Sequence, residues 1–405
     1  MPIHGNVSRV SRRSFVRFAG FAAASVPILT ESHFAWAAAQ QSNSVASARR
    51  TRQAMPAGAV LINANENPLG PCRAACEAIA AIAPKGGRYD IDGETEKLTQ
   101  TFAAQNGLKE EYIAVYAGSS EPLHYSVLAF TSPTKGFVTA DPSYEAGMRA
   151  ATVSRAKISK VPLAADYSHD VKAMVAADPN AGVIYICNPN NPTGTITSKE
   201  DIAWALENKP KGSILLVDEA YIHLSDAKPV LDFVAADKDL IVLRTFSKIY
   251  GMAGIRCGLA LGRPDLLARL QPFGQNAMPI TGSAAANVSL LDPELVPARK
   301  KIIADTRNST FAFLKANNYK FIPSQSNCFM IDTGRSGQAV IAAMRAKNIF
   351  IGRTWPIWPN SVRVSVGTPT EMAKFQAAFK EVMDEPSATS SLDSPFAHVR
   401  FPQSS

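Results

Sequence analysis

Short, unbroken apolar runs recur through the middle of the chain, and each ends abruptly in polar turn residues. Val183-Ile184-Tyr185-Ile186-Cys187 stops at Asn188-Pro189-Asn190-Asn191-Pro192-Thr193-Gly194. Ile214 to Val217 stops at Asp218-Glu219-Ala220-Tyr221, and Leu240 to Leu243 runs up to Thr245-Phe246-Ser247-Lys248. Runs of this length without alternation predict strands buried on both faces. Tyr112 to Tyr116 reads as another short strand, followed by the turn Ala117-Gly118-Ser119-Ser120-Glu121-Pro122 and an apolar helix, Leu123 to Phe130. Strands and helices alternate from about Tyr112 to Leu270, as in a wound, mostly parallel sheet. Later, Tyr319 to Ile322, Cys328 to Ile331 and Val362 to Val366 read as strands, and Thr370 to Met383 has the helical period that would close the fold. The expected class is α/β: a large domain with a mostly parallel wound sheet, plus a smaller α+β domain.

At 405 residues and 46% hydrophobic content the chain can bury a sizeable core, with roughly two domains expected. The large domain is expected at 86–289 and the smaller one at 59–85 plus 290–385. Residues 40–58 read as an arm, and 386–405, rich in Ser and Pro, as a disordered tail. Residues 1–39 combine the twin arginine Arg12-Arg13, a mildly apolar run from Phe18 to Leu29, and small residues through Ala37-Ala38-Ala39. That order predicts a Tat signal peptide. The run is too short to span a bilayer comfortably. The expectation is therefore a periplasmic protein exported folded by the Tat machinery, with no membrane anchor after cleavage.

Charge narrows the options only a little. The four arginines and one glutamate of residues 1–39 take +3 of the chain's +8 with them, leaving +5. That excess, without a long basic stripe carrying interleaved aromatics, argues against nucleic acid as a partner. Five scattered cysteines form no disulfide framework, so free thiols are expected. No His/Cys spacing suits zinc, and His124 and His223 read as structural residues.

The chemistry gathers at the ends of the predicted strands. Lys248 brings an amine, Thr245 and Ser247 bring hydroxyls, and Arg256 follows in Gly254-Ile255-Arg256-Cys257-Gly258. A buried amine near cationic groups suits Schiff-base chemistry, and hydroxyls with a guanidinium suit a phosphate dianion. Pyridoxal phosphate carries both an aldehyde and a phosphate. In an open α/β sheet, ligands collect at the carboxyl ends of strands. Asp218 would pair a protonated pyridine nitrogen, and Asn191 and Tyr221 would reach the ring's phenolic oxygen. The glycine turn at Gly118, with Ser119 and Ser120 opening a helix, offers a phosphate cradle.

The order of motifs resembles the fold-type I pyridoxal-phosphate aminotransferases, and within them the histidinol-phosphate aminotransferases. It runs from Asn63-Ala64-Asn65-Glu66-Asn67-Pro68-Leu69-Gly70 and Arg88-Tyr89 through Gly118-Ser119-Ser120-Glu121, Asn191-Pro192-Thr193-Gly194, Asp218-Glu219-Ala220-Tyr221 and Ser247-Lys248 to Arg256 and Arg363-Val364-Ser365-Val366-Gly367-Thr368. The resemblance covers about Leu61 to Met383. It implies that Lys248 forms the internal aldimine and shuttles the proton, with Ser119, Ser120, Thr245, Ser247 and Arg256 on the phosphate. It implies that Tyr144 stacks on the ring, that Tyr89 reaches the phosphate of the neighbouring subunit in a homodimer, and that Arg363 clamps the substrate α-carboxylate.

The substrate side departs from the pattern. Ser47 to Gly58 lacks the tyrosine that histidinol-phosphate aminotransferases usually present there, and Cys328 follows Asn327 where a tyrosine is common. Asn327 and Arg353 are the other candidate substrate residues, with Arg353 placed to meet an acidic or phosphorylated end. Trp355 and Trp358 either line an aromatic pocket or pack a domain interface. The expectation is an aminotransferase moving an amino group from an L-amino acid to a 2-oxo acid. The alternatives are a decarboxylase, lyase or oxidase on the same scaffold, a histidinol-phosphate aminotransferase proper, or a binding protein that kept the fold.

Overall fold

Among the described residues, twelve strands fall into three sheets. In chain order they are β1 (Val60–Ile62), β2 (Ile113–Tyr116), β3 (Gly136–Asp141), β4 (Ile158–Pro162), β5 (Ala181–Cys187), β6 (Ile214–Asp218), β7 (Leu240–Thr245), β8 (Gly258–Gly262), β9 (Lys320–Phe321), β10 (Cys328–Asp332), β11 (Ile349–Ile351) and β12 (Ser361–Ser365). The structure is a computed structural model and describes residues 55–274 and 277–385. The expected export signal, most of the arm and the tail from 386 lie outside the described residues.

The large sheet has the order β2-β8-β7-β6-β5-β3-β4. Its β7-β6, β6-β5, β5-β3 and β3-β4 pairs are parallel, and β8 runs antiparallel to both of its neighbours. The unbroken apolar runs explain the centre of this sheet. Every residue of β5, β6 and β7 is buried, because helices cover both faces. Each of those strands ends on a polar residue or on the start of a polar turn, which delivers Cys187, Asp218 and Thr245 to one edge. Register sets Cys187 opposite Asp218 and Asp218 opposite Leu243.

The α/β class holds, with smaller sheets beside the large one. β12-β10-β9 is antiparallel, and β1 pairs with β11 in parallel. The latter pairing joins residues some 290 positions apart, which local periodicity does not reveal. The segment 59–85 divides its packing: β1 joins β11, while the helix Arg73–Ile82 packs against the helix Ile280–Leu290. The last helix, Pro369–Asp384, starts with a complete capping box between Thr368 and Glu371, and buries Met372, Phe375, Phe379 and Val382.

Candidate active site

The strand ends open onto a cavity of about 410 Å³ lined by Lys248, Asp218, Tyr221, Asn191, Tyr144, Ser119, Ser120, Thr245, Ser247, Arg256, Arg353 and Arg363. Twelve of the fourteen residues expected from the sequence therefore meet in one place. The other two lie elsewhere. Tyr89 is 82% exposed and does not line this cavity. Asn327 is buried outside it and spends its amide donors on the backbone carbonyls of Asn65 and Glu66, so it holds that segment in position.

One end of the cavity is built for a dianion. Arg256 has a positive φ of 71° and folds back so that its guanidinium donates to Ala253 O at 2.7 Å. Its other amino group lies against Gly118, where an added Cβ would sit only 2.1 Å from Nη2. Gly118, with φ 97°, is thus needed twice, for the turn and for the close approach. The turn leads into the helix Ser120–Phe130, and Ser119 and Ser120 at its N-terminus line the cavity. Thr245 Oγ1 donates to Ser247 Oγ at 3.0 Å and accepts from the Ser247 N–H, which aligns the two hydroxyls.

At the floor, Asp218 is 3% exposed. Its Oδ1 accepts from the Ala220 N–H at 3.1 Å, and its Oδ2 accepts from the Tyr185 hydroxyl at 2.9 Å. Burial raises its pKa to about 6 against these hydrogen bonds, so the carboxylate is charged at neutral pH yet gains from a cationic partner. Lys248 Nζ donates to Asn65 O at 2.9 Å. Burial, and then repulsion from Arg363, lower its pKa to about 8, which makes free amine accessible near neutrality.

Arg363 and Asn191 form the opposite wall. Arg363 Nη1 donates to Asn191 Oδ1 at 2.9 Å and Nη2 to Asn63 O at 2.7 Å, so the guanidinium is fixed before any substrate arrives. Asn65 connects the walls. Its backbone N–H donates to Ser365 Oγ, its carbonyl accepts from Lys248, and its side-chain amide donates to the Tyr221 hydroxyl at 3.0 Å and to Cys328 Sγ at 3.1 Å.

Sequence reasoning quoted Asn65 within a motif but gave it no role, and it missed Tyr185. Tyr185 shares a strand face with Cys187, two residues on, which lines the cavity. The tryptophan alternatives resolve toward packing: Trp355 is 1% exposed in a cluster with Ile322 and Met330, and Trp358 meets Tyr167 edge-on. Arg353 lines the cavity and lies over the Trp355 ring at 4.4 Å.

An accessible amine, a dianion cradle and a buried carboxylate on one strand edge define a pyridoxal-phosphate enzyme of the aminotransferase fold. Comparison with known proteins agrees. The family model for aminotransferase class I and II matches residues 58–379. A histidinol-phosphate aminotransferase of Symbiobacterium thermophilum is 31% identical over 335 residues, covering 80% of this chain and 91% of that protein. An aromatic amino acid aminotransferase of Cutibacterium acnes is 31% identical over 321 residues, 77% of this chain and 89% of that one. The crystal structure of histidinol-phosphate aminotransferase from Sinorhizobium meliloti in complex with pyridoxal-5'-phosphate has a TM-score of 0.73 at 28% identity, covering 80% of this chain and 90% of that one. The chain belongs to the class I and II aminotransferases, and its cofactor is pyridoxal 5'-phosphate.

Proposed function

We propose that this aminotransferase acts on substrate pairs of which one member carries a second anionic group at the far end of its side chain. One observation carries the reading: besides Arg256, three arginines, Arg149, Arg353 and Arg363, line the cavity, whereas an α-carboxylate needs only one. Histidinol phosphate and dicarboxylic amino acids both fit that description. The relatives named for histidinol phosphate support the first, although the arm's missing tyrosine leaves the phosphate without one of its usual holders.

The bound cofactor supplies an aldehyde that accepts the amine and a ring that draws electrons from the substrate's α-carbon. The residues would divide the remaining work. Ser119, Ser120, Thr245, Ser247 and Arg256 hold the phosphate. Asp218 keeps the ring nitrogen protonated, Asn191 and Tyr221 address the phenolic oxygen, and Tyr144 covers a ring face. Arg363 orients the α-carboxylate. Lys248, as a free amine, would take the proton from the substrate α-carbon and hold it for return, as general base and then acid. Tyr89, on the surface, would serve the partner's site in a homodimer. The twin arginine and apolar run of residues 1–39 support export by Tat to the periplasm.

Steady-state kinetics with a panel of donors tests the substrate reading. L-Glutamate or histidinol phosphate should exceed L-leucine and L-phenylalanine in kcat/KM by about tenfold or more, the scale of one added charge-assisted contact. The reverse order would refute it. Fluorescence of a full-length fusion in intact and fractionated cells tests export, and sedimentation tests the dimer.

A further inference from the structure

Against Arg353, which lines the cavity, stands a carboxylate that the reaction does not use. Glu145 Oε2 lies 2.6 Å from Arg353 Nη1. Glu145 occupies the cap position of the helix Ala146–Val153 but makes no side-chain cap hydrogen bond there, so its carboxylate is committed outward to Arg353. The pair is uneven: the Glu145 side chain is 25% exposed and that of Arg353 48%. Arg149, four residues after Glu145, reaches the same cavity one helical turn away.

Resting on the reading that a distal anion is recognised here, we propose that Glu145 is the residue that sets the charge preference of the side-chain subsite. With an anionic side chain in place, Glu145 competes with it for Arg353. With an uncharged side chain in place, Glu145 remains on Arg353 and spares the site an unpaired guanidinium under the covering substrate. Transamination makes such a device useful, because donor and acceptor occupy one site in turn and can differ in side-chain charge. Arg149 gives the displaced carboxylate a second cation at i,i+4.

The test is equilibrium binding of two acids that lack an amine and cannot react. Glutarate carries a distal carboxylate; 3-phenylpropionate does not. Calorimetric titration of the cofactor-loaded wild type, Glu145→Gln and the double variant Glu145→Gln/Arg353→Gln isolates the pair. Glu145→Gln is expected to shift the affinity ratio toward glutarate about tenfold, with the shift abolished in the double variant. A ratio that moves less than about twofold, a shift that survives removal of Arg353, or failure of Glu145→Gln to bind glutarate overturns the proposal. Phenylpropionate bound more tightly than glutarate by the wild type counts against the substrate reading alone, because the variant comparison is scored separately. Matching melting temperatures for the three proteins exclude a folding effect.

Discussion

The floor and the mouth of the cavity are built differently. The floor stands on the ends of β5, β6 and β7, and its polar groups are buried and mutually hydrogen-bonded: Asp218 with Tyr185, and Thr245 with Ser247. The mouth stands on a short helix and the segment around Arg353, and its charges are partly exposed. Rigid, desolvated groups suit a cofactor that stays, since each is worth more in a low dielectric and needs no reorganisation. Solvated, exchangeable charges suit substrates that alternate. A floor substitution should therefore change the chemical step, and a mouth substitution should change which substrate is taken.

The largest expected effect is at Lys248. Lys248→Ala should retain bound cofactor but lose about 10⁴-fold or more of multiple-turnover activity, the upper range for losing a positioned base. Near-normal turnover would place the proton transfer elsewhere. Asp218→Asn comes next, with a fall in kcat of about 10²–10³-fold, the size seen when one preorganised electrostatic group is lost. Stability should move the other way. Asp218's folded pKa, raised by burial to about 6, means that its stabilising contribution to the cofactor-free protein is lost as pH rises through 6. At pH 8 the cofactor-free Asp218→Asn protein should therefore melt no lower than wild type, and the advantage should vanish below about pH 4, near the carboxyl's ordinary value. A lower melting temperature at pH 8 would contradict the desolvation argument.

Arg363→Lys tests the link between the two ends. Lysine keeps the charge but loses the fork and one of the two bonds to Asn191 and Asn63. The expected result is a rise in KM of about 10-fold to 100-fold for α-carboxylate donors, with a smaller change in kcat. The smallest effect belongs to Tyr185→Phe. Removing its donation to Asp218 should weaken cofactor binding about tenfold, as for one hydrogen bond to a charged group. That donation lowers the Asp218 pKa, so its loss should move the acid limb of the pH–rate profile to higher pH. An unmoved limb would make Tyr185 a packing residue only.

The same contrast governs what the sequence makes legible. The floor can be read because strand ends, apolar runs and motif order are local signals, and a wound sheet turns each strand's last residue toward one edge. Asn65 escaped notice because its partners, Tyr221, Lys248 and Ser365, lie 156 to 300 positions away. Tyr185 was hidden by looking like one more apolar residue in a buried run. Glu145 and Arg149 carry no local signal of a site, and only Arg353, over 200 residues downstream, brings Glu145 an ion-pair partner that lines the cavity. The helix expected from Leu123 starts about one turn earlier, at Ser120, and the last helix starts one residue earlier than expected, at Pro369. The pairing of β1 with β11 leaves no local mark at all.

On the proposed reading, the floor holds pyridoxal phosphate on Lys248 for reversible amino-group transfer. It is tested by the visible absorption of the purified protein, recorded first with L-glutamate and then with a 2-oxo acid whose side chain is uncharged. The cofactor band is expected to disappear on adding the donor and to return on adding the acceptor. A band unchanged by every amino donor, or one that is lost and never returns, would contradict it.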